Sequence, residues 1–158
     1  MRTPLIVASL VATTALVVGG VALAQSSGAS PAHRYGSTFT VVEHAKTDTT
    51  TDTGAKGDSV GDILTFANPV FGHANRHRVG SDNGSCLRTV KGKAYECSWT
   101  TKLDGGSLVV EGPFYDTRDS KLAIIGGTGR YQAARGQMLL HARNAKGSSY
   151  DFTFHVTR

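Results

Sequence analysis

Ser85-Cys86-Leu87-Arg88-Thr89-Val90-Lys91-Gly92-Lys93-Ala94-Tyr95-Glu96-Cys97-Ser98-Trp99-Thr100-Thr101-Lys102-Leu103 reads as two β-strands folded about a turn. Past the turn, Tyr95, Cys97, Trp99, Thr101 and Leu103 share one face, while Glu96, Ser98, Thr100 and Lys102 share the other. That period of two belongs to a half-buried strand and to no helix. Centring the hairpin on Lys91-Gly92 sets Cys86 opposite Cys97, Leu87 opposite Glu96 and Arg88 opposite Tyr95. A two-residue turn places the cysteine pair at a hydrogen-bonded site and a longer turn does not, so the register stays open.

Outward from the hairpin the same pattern repeats. Ser37–His44 and Gly61–Val70 precede it, the latter with Leu64, Phe66, Asn68 and Val70 on one face. Between them Asp48–Gly57 is a polar linker of Thr, Asp and Gly, and Gly72–Val79 reads as a basic loop or irregular strand. After Asp104-Gly105-Gly106 come Ser107–Gly112, Lys121–Ile125 and Gly136–Arg143. The last strand, Ser148–Val156, sets Tyr150, Phe152, Phe154 and Val156 against Asp151, Thr153 and His155. One helical turn at most fits, at Tyr131–Ala134. About eight short strands with tight turns imply an all-β sandwich or barrel, and period alone does not choose between them.

The N-terminus reads as an export signal over residues 1–24. Arg2 is followed by an apolar stretch from Leu5 to Val21 and a small-x-small site at Ala22-Leu23-Ala24. The other reading is a retained anchor, since the stretch approaches the roughly 20 residues that span a bilayer. Residues 25–36, rich in Ser, Ala and Gly, form a disordered lead-in, and residues 37–158 the folded domain. The expected mature chain is 134 residues with 16 Lys and Arg against 12 Asp and Glu. So dispersed an excess argues for solubility rather than nucleic-acid binding. Cys86 and Cys97 are the only cysteines, and in an exported protein such a pair forms a disulfide. No second ligand pair sits at metal spacing.

Four motifs in order carry a family resemblance. Gly61-Asp62-Ile63-Leu64-Thr65-Phe66-Ala67-Asn68 resembles the G-D-x-x-x-F-x-N strand of allene oxide cyclases, and Val110-Glu111-Gly112-Pro113-Phe114 their V-x-G-P-aromatic segment. The run Leu122-Ala123-Ile124-Ile125-Gly126-Gly127-Thr128-Gly129-Arg130-Tyr131 is similar to a turn that these cyclases share with dirigent proteins. Ala134-Arg135-Gly136 resembles the dirigent A-R-G. The resemblance spans about Thr38 to Val156. It implies an eight-stranded antiparallel β-barrel, often a homotrimer, without a cofactor; joined to the export signal, it points to a secreted protein that binds a hydrophobic, lipid- or phenol-like small molecule. As an enzyme it would be a cyclase or isomerase; the alternative is a non-catalytic dirigent-like or carrier-type binder.

Glu43 shares a face with Phe39 and Val41, so an inward-facing strand carries its carboxylate into an apolar interior, where burial raises a carboxyl pKa. An outward or strand-end position leaves it in water. By resemblance Glu43 matches a cyclase glutamate that stabilises positive charge. Asn68 matches an asparagine that in the cyclases, whose substrate is a fatty-acid epoxide, helps hold a water against the epoxide oxygen; its other reading is a turn before Pro69. Cys86 matches a pocket cysteine of the cyclases, while Ala45 stands where they carry a water-binding asparagine. Phe66, Tyr95, Trp99, Phe152 and Phe154 are the expected pocket walls. Gly126-Gly127-Thr128-Gly129 is a tight turn, with no helix or Lys-Ser/Thr after it to make a phosphate cradle. His73, Arg76, His77 and Arg78 read as a solvated loop at a barrel mouth.

Overall fold

The computed structural model describes residues 36–157. The expected signal segment, and the lead-in apart from Gly36, lie outside the described residues. Nine strands follow one another: β1 (Ser37–His44), β2 (Thr49–Thr51), β3 (Ile63–Gly72), β4 (Arg78–Val90), β5 (Ala94–Leu103), β6 (Gly106–Tyr115), β7 (Ser120–Gly129), β8 (Arg135–Ala142) and β9 (Ser149–Thr157). There is no helix among the described residues. All nine lie in one antiparallel sheet, ordered β1-β9-β8-β7-β6-β5-β4-β3-β2, and a further β1–β3 pairing closes it. The eight long strands therefore make a barrel, which leaves no long open edge.

The closure is staggered. β1 meets only the second half of β3, with Val41 opposite Gly72 and Glu43 opposite Val70. β2 then covers the first half, with Thr49 opposite Thr65 and Thr51 opposite Ile63. Between β1 and β2 the chain leaves the ladder, and side chains take over its hydrogen bonds. The amides of Lys46 and Thr47 donate to Asn68 Oδ1 at 2.8 and 3.0 Å, and Thr47 Oγ1 accepts from the amide of Ala67 at 2.7 Å. A short stretch of the expected polar linker is thus a strand, because Thr49–Thr51 continues the edge that β1 abandons.

β4 begins at Arg78, seven residues before the expected Ser85. Its inward positions there are Gly80, Asp82 and Gly84, so no apolar alternation marks it. Glycine is required at 84: a Cβ there would lie 2.6 Å from the Trp99 Cα and run into the Trp99 side chain. The Tyr131–Ala134 segment is turns rather than a helical turn, with Ala133 at φ 62°. Inside the barrel one end is solid. Leu108, Leu122, Ile124, Met138 and Phe154 are fully buried there, and Phe39 stacks on Phe154 at 5.2 Å. Burial of side chains this size contributes roughly 1.5–3 kcal/mol each.

The hairpin register is the one expected from its centring. Cys86 faces Cys97 and Arg88 faces Tyr95, with a bulge between Arg88 and Val90. Cys86 and Cys97 are disulfide-bonded, with their Cα atoms 4.0 Å apart.

Candidate functional site

Above the solid end the barrel holds a cavity of about 80 Å3. Its apolar wall comes from β3 (Leu64, Phe66), β5 (Trp99), β6 (Phe114), β8 (Leu140) and β9 (Tyr150, Phe152), with the Cys86–Cys97 disulfide beside them. Trp99 meets Phe66 edge-on at 5.9 Å and Phe152 at 5.5 Å, while Phe114 meets Tyr150 edge-on at 5.9 Å. Two acidic side chains complete the lining, Glu43 and Asp48. Phe114, Leu140 and Tyr150 also line a second recess of about 470 Å3, formed with the loops after β6 and β8. Small-molecule pockets generally occupy about 300–1,000 Å3. The inner cavity therefore accommodates one ring or a short chain, and a larger molecule must extend into the outer recess.

Strand alternation carries Glu43 inward, opposite Tyr150 on β9 and Val70 on β3. Its side chain is 4% exposed, and Oε2 has no hydrogen-bond partner. Asn68 arranges the acids around it. Its Nδ2 donates to Glu43 Oε1 at 2.5 Å and to Asp48 Oδ1 at 2.7 Å, while its backbone N–H donates to Asp82 Oδ1 at 3.2 Å. Asp82 projects inward from β4 and is buried, with Oδ2 unpartnered.

These surroundings favour the protonated acids. Burial, then the nearby Asp82 and Asp48, push the Glu43 pKa up to about 8, against the opposing hydrogen bond from Asn68. Burial, with Asp48 adding to it, pushes Asp82 up to about 7. Tyr150 is pushed up to about 12 by burial and then by Glu43. At pH 7 Glu43 is mainly a carboxylic acid, able to donate a proton or a hydrogen bond into the cavity. The indole N–H of Trp99 is a second buried donor without a partner.

Among the expected site residues, Glu43, Phe66, Trp99, Phe152 and both cysteines meet at the cavity. Asn68 stands behind its wall with both side-chain N–H groups engaged by carboxyls. Tyr95 and Phe154 face inward but lie in packed layers: Arg88 covers Tyr95 at 3.6 Å from its ring, and Phe154 sits under Phe39. Asp48, Tyr150 and Phe114 also line the cavity and are not among the expected residues, and Asp82 lies behind the lining against Asn68. Asp48 sits in a polar linker and Asp82 between glycines, so neither has an apolar pattern to reveal its direction; the parity of Tyr150 with Phe152 was the available signal. The basic loop lies apart from the cavity, with Asn75 Oδ1 accepting from His44 Nε2 at 2.8 Å. No group of side chains among the described residues is arranged to hold a metal ion.

The family model for allene oxide cyclase matches residues 38–153. The chain belongs to the allene oxide cyclase family. Solved structures with the same barrel include a pyocyanin demethylase, 25% identical, with a TM-score of 0.65 over 75% of this chain and 100% of that one. The pterocarpan synthase dirigent protein PsPTS1 is 14% identical, with a TM-score of 0.63 over 77% of this chain and 93% of its own. The Diels–Alderase AbmU from Streptomyces koyangensis is 16% identical, with a TM-score of 0.64 over 81% and 70%. These last two likenesses are of fold. Within the family frame, Gly61-Asp62 and Asn68 have clear local work: Asp62 accepts from the amides of Ser59 and Thr53 and Asn68 from those of Lys46 and Thr47, so the pair staples both ends of the linker to β3.

Proposed function

We propose that the barrel encloses a hydrophobic, ring-bearing small molecule and that Glu43 performs acid chemistry on it, as a cofactor-free cyclase or isomerase. The observation that carries this reading is Glu43 Oε2, buried without a partner at a largely apolar cavity. A carboxyl with a pKa near neutrality is suited to lend a proton and take it back. Protonation of a bound molecule would leave the Glu43 carboxylate beside the positive charge it creates. The aromatic walls would restrict the ligand to few conformations, which is how such a site favours ring closure over competing reactions. Asn68 acts as a positioning residue, since it holds Glu43 and Asp48 in place.

That engagement also supports a second reading, a carrier or dirigent-like binder. With both Asn68 N–H groups committed, the site has fewer free donors for a developing oxyanion than an acid-and-amide pair would supply. Native mass spectrometry of protein purified without detergent identifies any retained ligand, and Glu43→Gln then separates the readings. The enzyme reading expects the variant to keep the ligand and lose turnover by at least a hundredfold. Unchanged turnover would remove Glu43 from the chemistry, and an empty protein that takes up neither fatty acids nor phenolics would end both readings.

Export is part of the same proposal, and cleavage after Ala24 is checked by N-terminal sequencing of protein from the medium. The trimer implied by resemblance is checked by light scattering of the purified protein.

A further inference from the structure

We propose that the Cys86–Cys97 disulfide is a redox switch on the cavity: a small dithiol entering the cavity reduces it, and the two freed sulfurs then crowd out the occupant. This rests on the reading of the cavity as a small-molecule site and names a regulation of it. Both cysteines hold inward positions, 4% and 2% exposed, and both line the cavity. Their strands are covered on either flank. β4 is paired with β3, where Cys86 meets Leu64, and β5 with β6, where Cys97 meets Gly112. The sulfurs thus lie on the inside of a continuous four-strand wall, and in the folded chain a reductant reaches them from the cavity.

The same frame fixes what reduction does. Two thiols need more room than a disulfide, because their sulfurs move from bonding distance to van der Waals distance. The ladders hold the backbone, so the side chains must supply the separation. Along the strands both directions are filled. On one side Arg88 lies 3.6 Å over the Tyr95 ring; on the other Trp99 covers Gly84, where not even a Cβ fits. At least one sulfur therefore turns into the cavity, whose volume is about 80 Å3. Close-packed interiors do not absorb such a change without cost. The coupling runs both ways: an occupant that favours the disulfide form also opposes its reduction.

The dithiol supplies both electrons. One of its thiolates attacks a protein sulfur and the S–S bond breaks, giving a mixed disulfide; its second thiolate then displaces the other protein sulfur. Each departing protein sulfur takes up one of the two protons that the dithiol gave up, leaving two protein thiols and a cyclic disulfide.

The test uses the intact purified protein, dithiothreitol as reductant and toluene as occupant. Free thiols are counted by mass spectrometry after alkylation, and calorimetry gives the toluene affinity of the oxidised and reduced forms. Saturating toluene should slow reduction about tenfold, and the reduced form should bind toluene about tenfold more weakly. Combining Cys86→Ala with Cys97→Ala removes the link and the sulfurs together, so this variant should bind toluene more tightly than the reduced parent does. Equal weakness in the two would make the lost link the cause and overturn the crowding. Reduction that ignores toluene would mean another route to the sulfurs; it would overturn the inference and leave the hydrophobic-ligand reading standing. Trp99 is the only tryptophan, and loss of its near-ultraviolet circular dichroism on reduction would make the disulfide a staple of the fold, which also overturns the switch. Failure of the oxidised protein to bind toluene would count against both readings.

Discussion

Glu43 holds its proton up to about pH 8 in the folded chain, whereas its ordinary value is 4.5. Between those values the native state binds more protons than the unfolded one, so this group makes stability fall as pH rises, with the loss complete above pH 8. Asp82 adds a fall between 3.8 and about 7. Glu43→Gln removes the ionisable group and keeps an oxygen for Asn68 to donate to. The variant should match the parent near pH 4.5 and exceed it at pH 9 by on the order of 4 kcal/mol. Urea unfolding at the two pH values measures this, and parallel pH profiles would show Glu43 already ionised in the fold. Its inward direction was readable beforehand, because Phe39, Val41 and Glu43 alternate along one short strand. Its neighbours were not: Asp48 and Asp82 reach it through sheet closure and a stapled loop, which join positions far apart in the chain.

At the scale of elements, the segment from Ala45 to Asp62 owes its course to a few polar anchors. Arg88 is the largest of these. Its Nε pairs with Asp58 at 2.7 Å, and its Nη1 donates to both oxygens of Asp116 at 2.8 Å. Asp58 in turn accepts from the amide of Gly92 at 2.6 Å. One guanidinium thus ties the linker, the β4–β5 turn and the end of β6 together. Truncating such a group leaves carboxylates without their partner. Asp58 and Asp116 are partly exposed, which lowers the cost, so Arg88→Met should destabilise by about 2–3 kcal/mol. Hydrogen exchange should show faster loss of protection at Gly61 and Gly92 than on β8. Uniform change across the barrel would mean that Arg88 acts through the core instead. The hairpin of β4 and β5 was legible to the residue because apolar alternation and a turn agree there. The first half of β4 was not, since Gly80 and Gly84 make room for side chains of β5 and contribute none of their own.

For the whole molecule, the motifs that resemble the allene oxide cyclases decide between sandwich and barrel where alternation alone does not. The disulfide serves both the barrel and its cavity, because Cys86 and Cys97 link adjacent strands and form part of the lining. Replacing both by alanine should lower unfolding stability by about 3 kcal/mol and enlarge the cavity. Calorimetric unfolding and toluene affinity report the two effects separately; an unchanged melting temperature would show that the unfolded chain gains nothing from the link. The seam between β1 and β3 has a different consequence. All of β5 is paired with β6, but β1 meets β3 through Val41, Val42 and Glu43 alone. The barrel's shortest long-strand joint therefore carries the residue whose charge is costly to bury. Raising the pH adds repulsion across that joint, so the wall beside the cavity is where the cylinder is expected to open first, and alkalinity would then shorten the residence time of any molecule held inside.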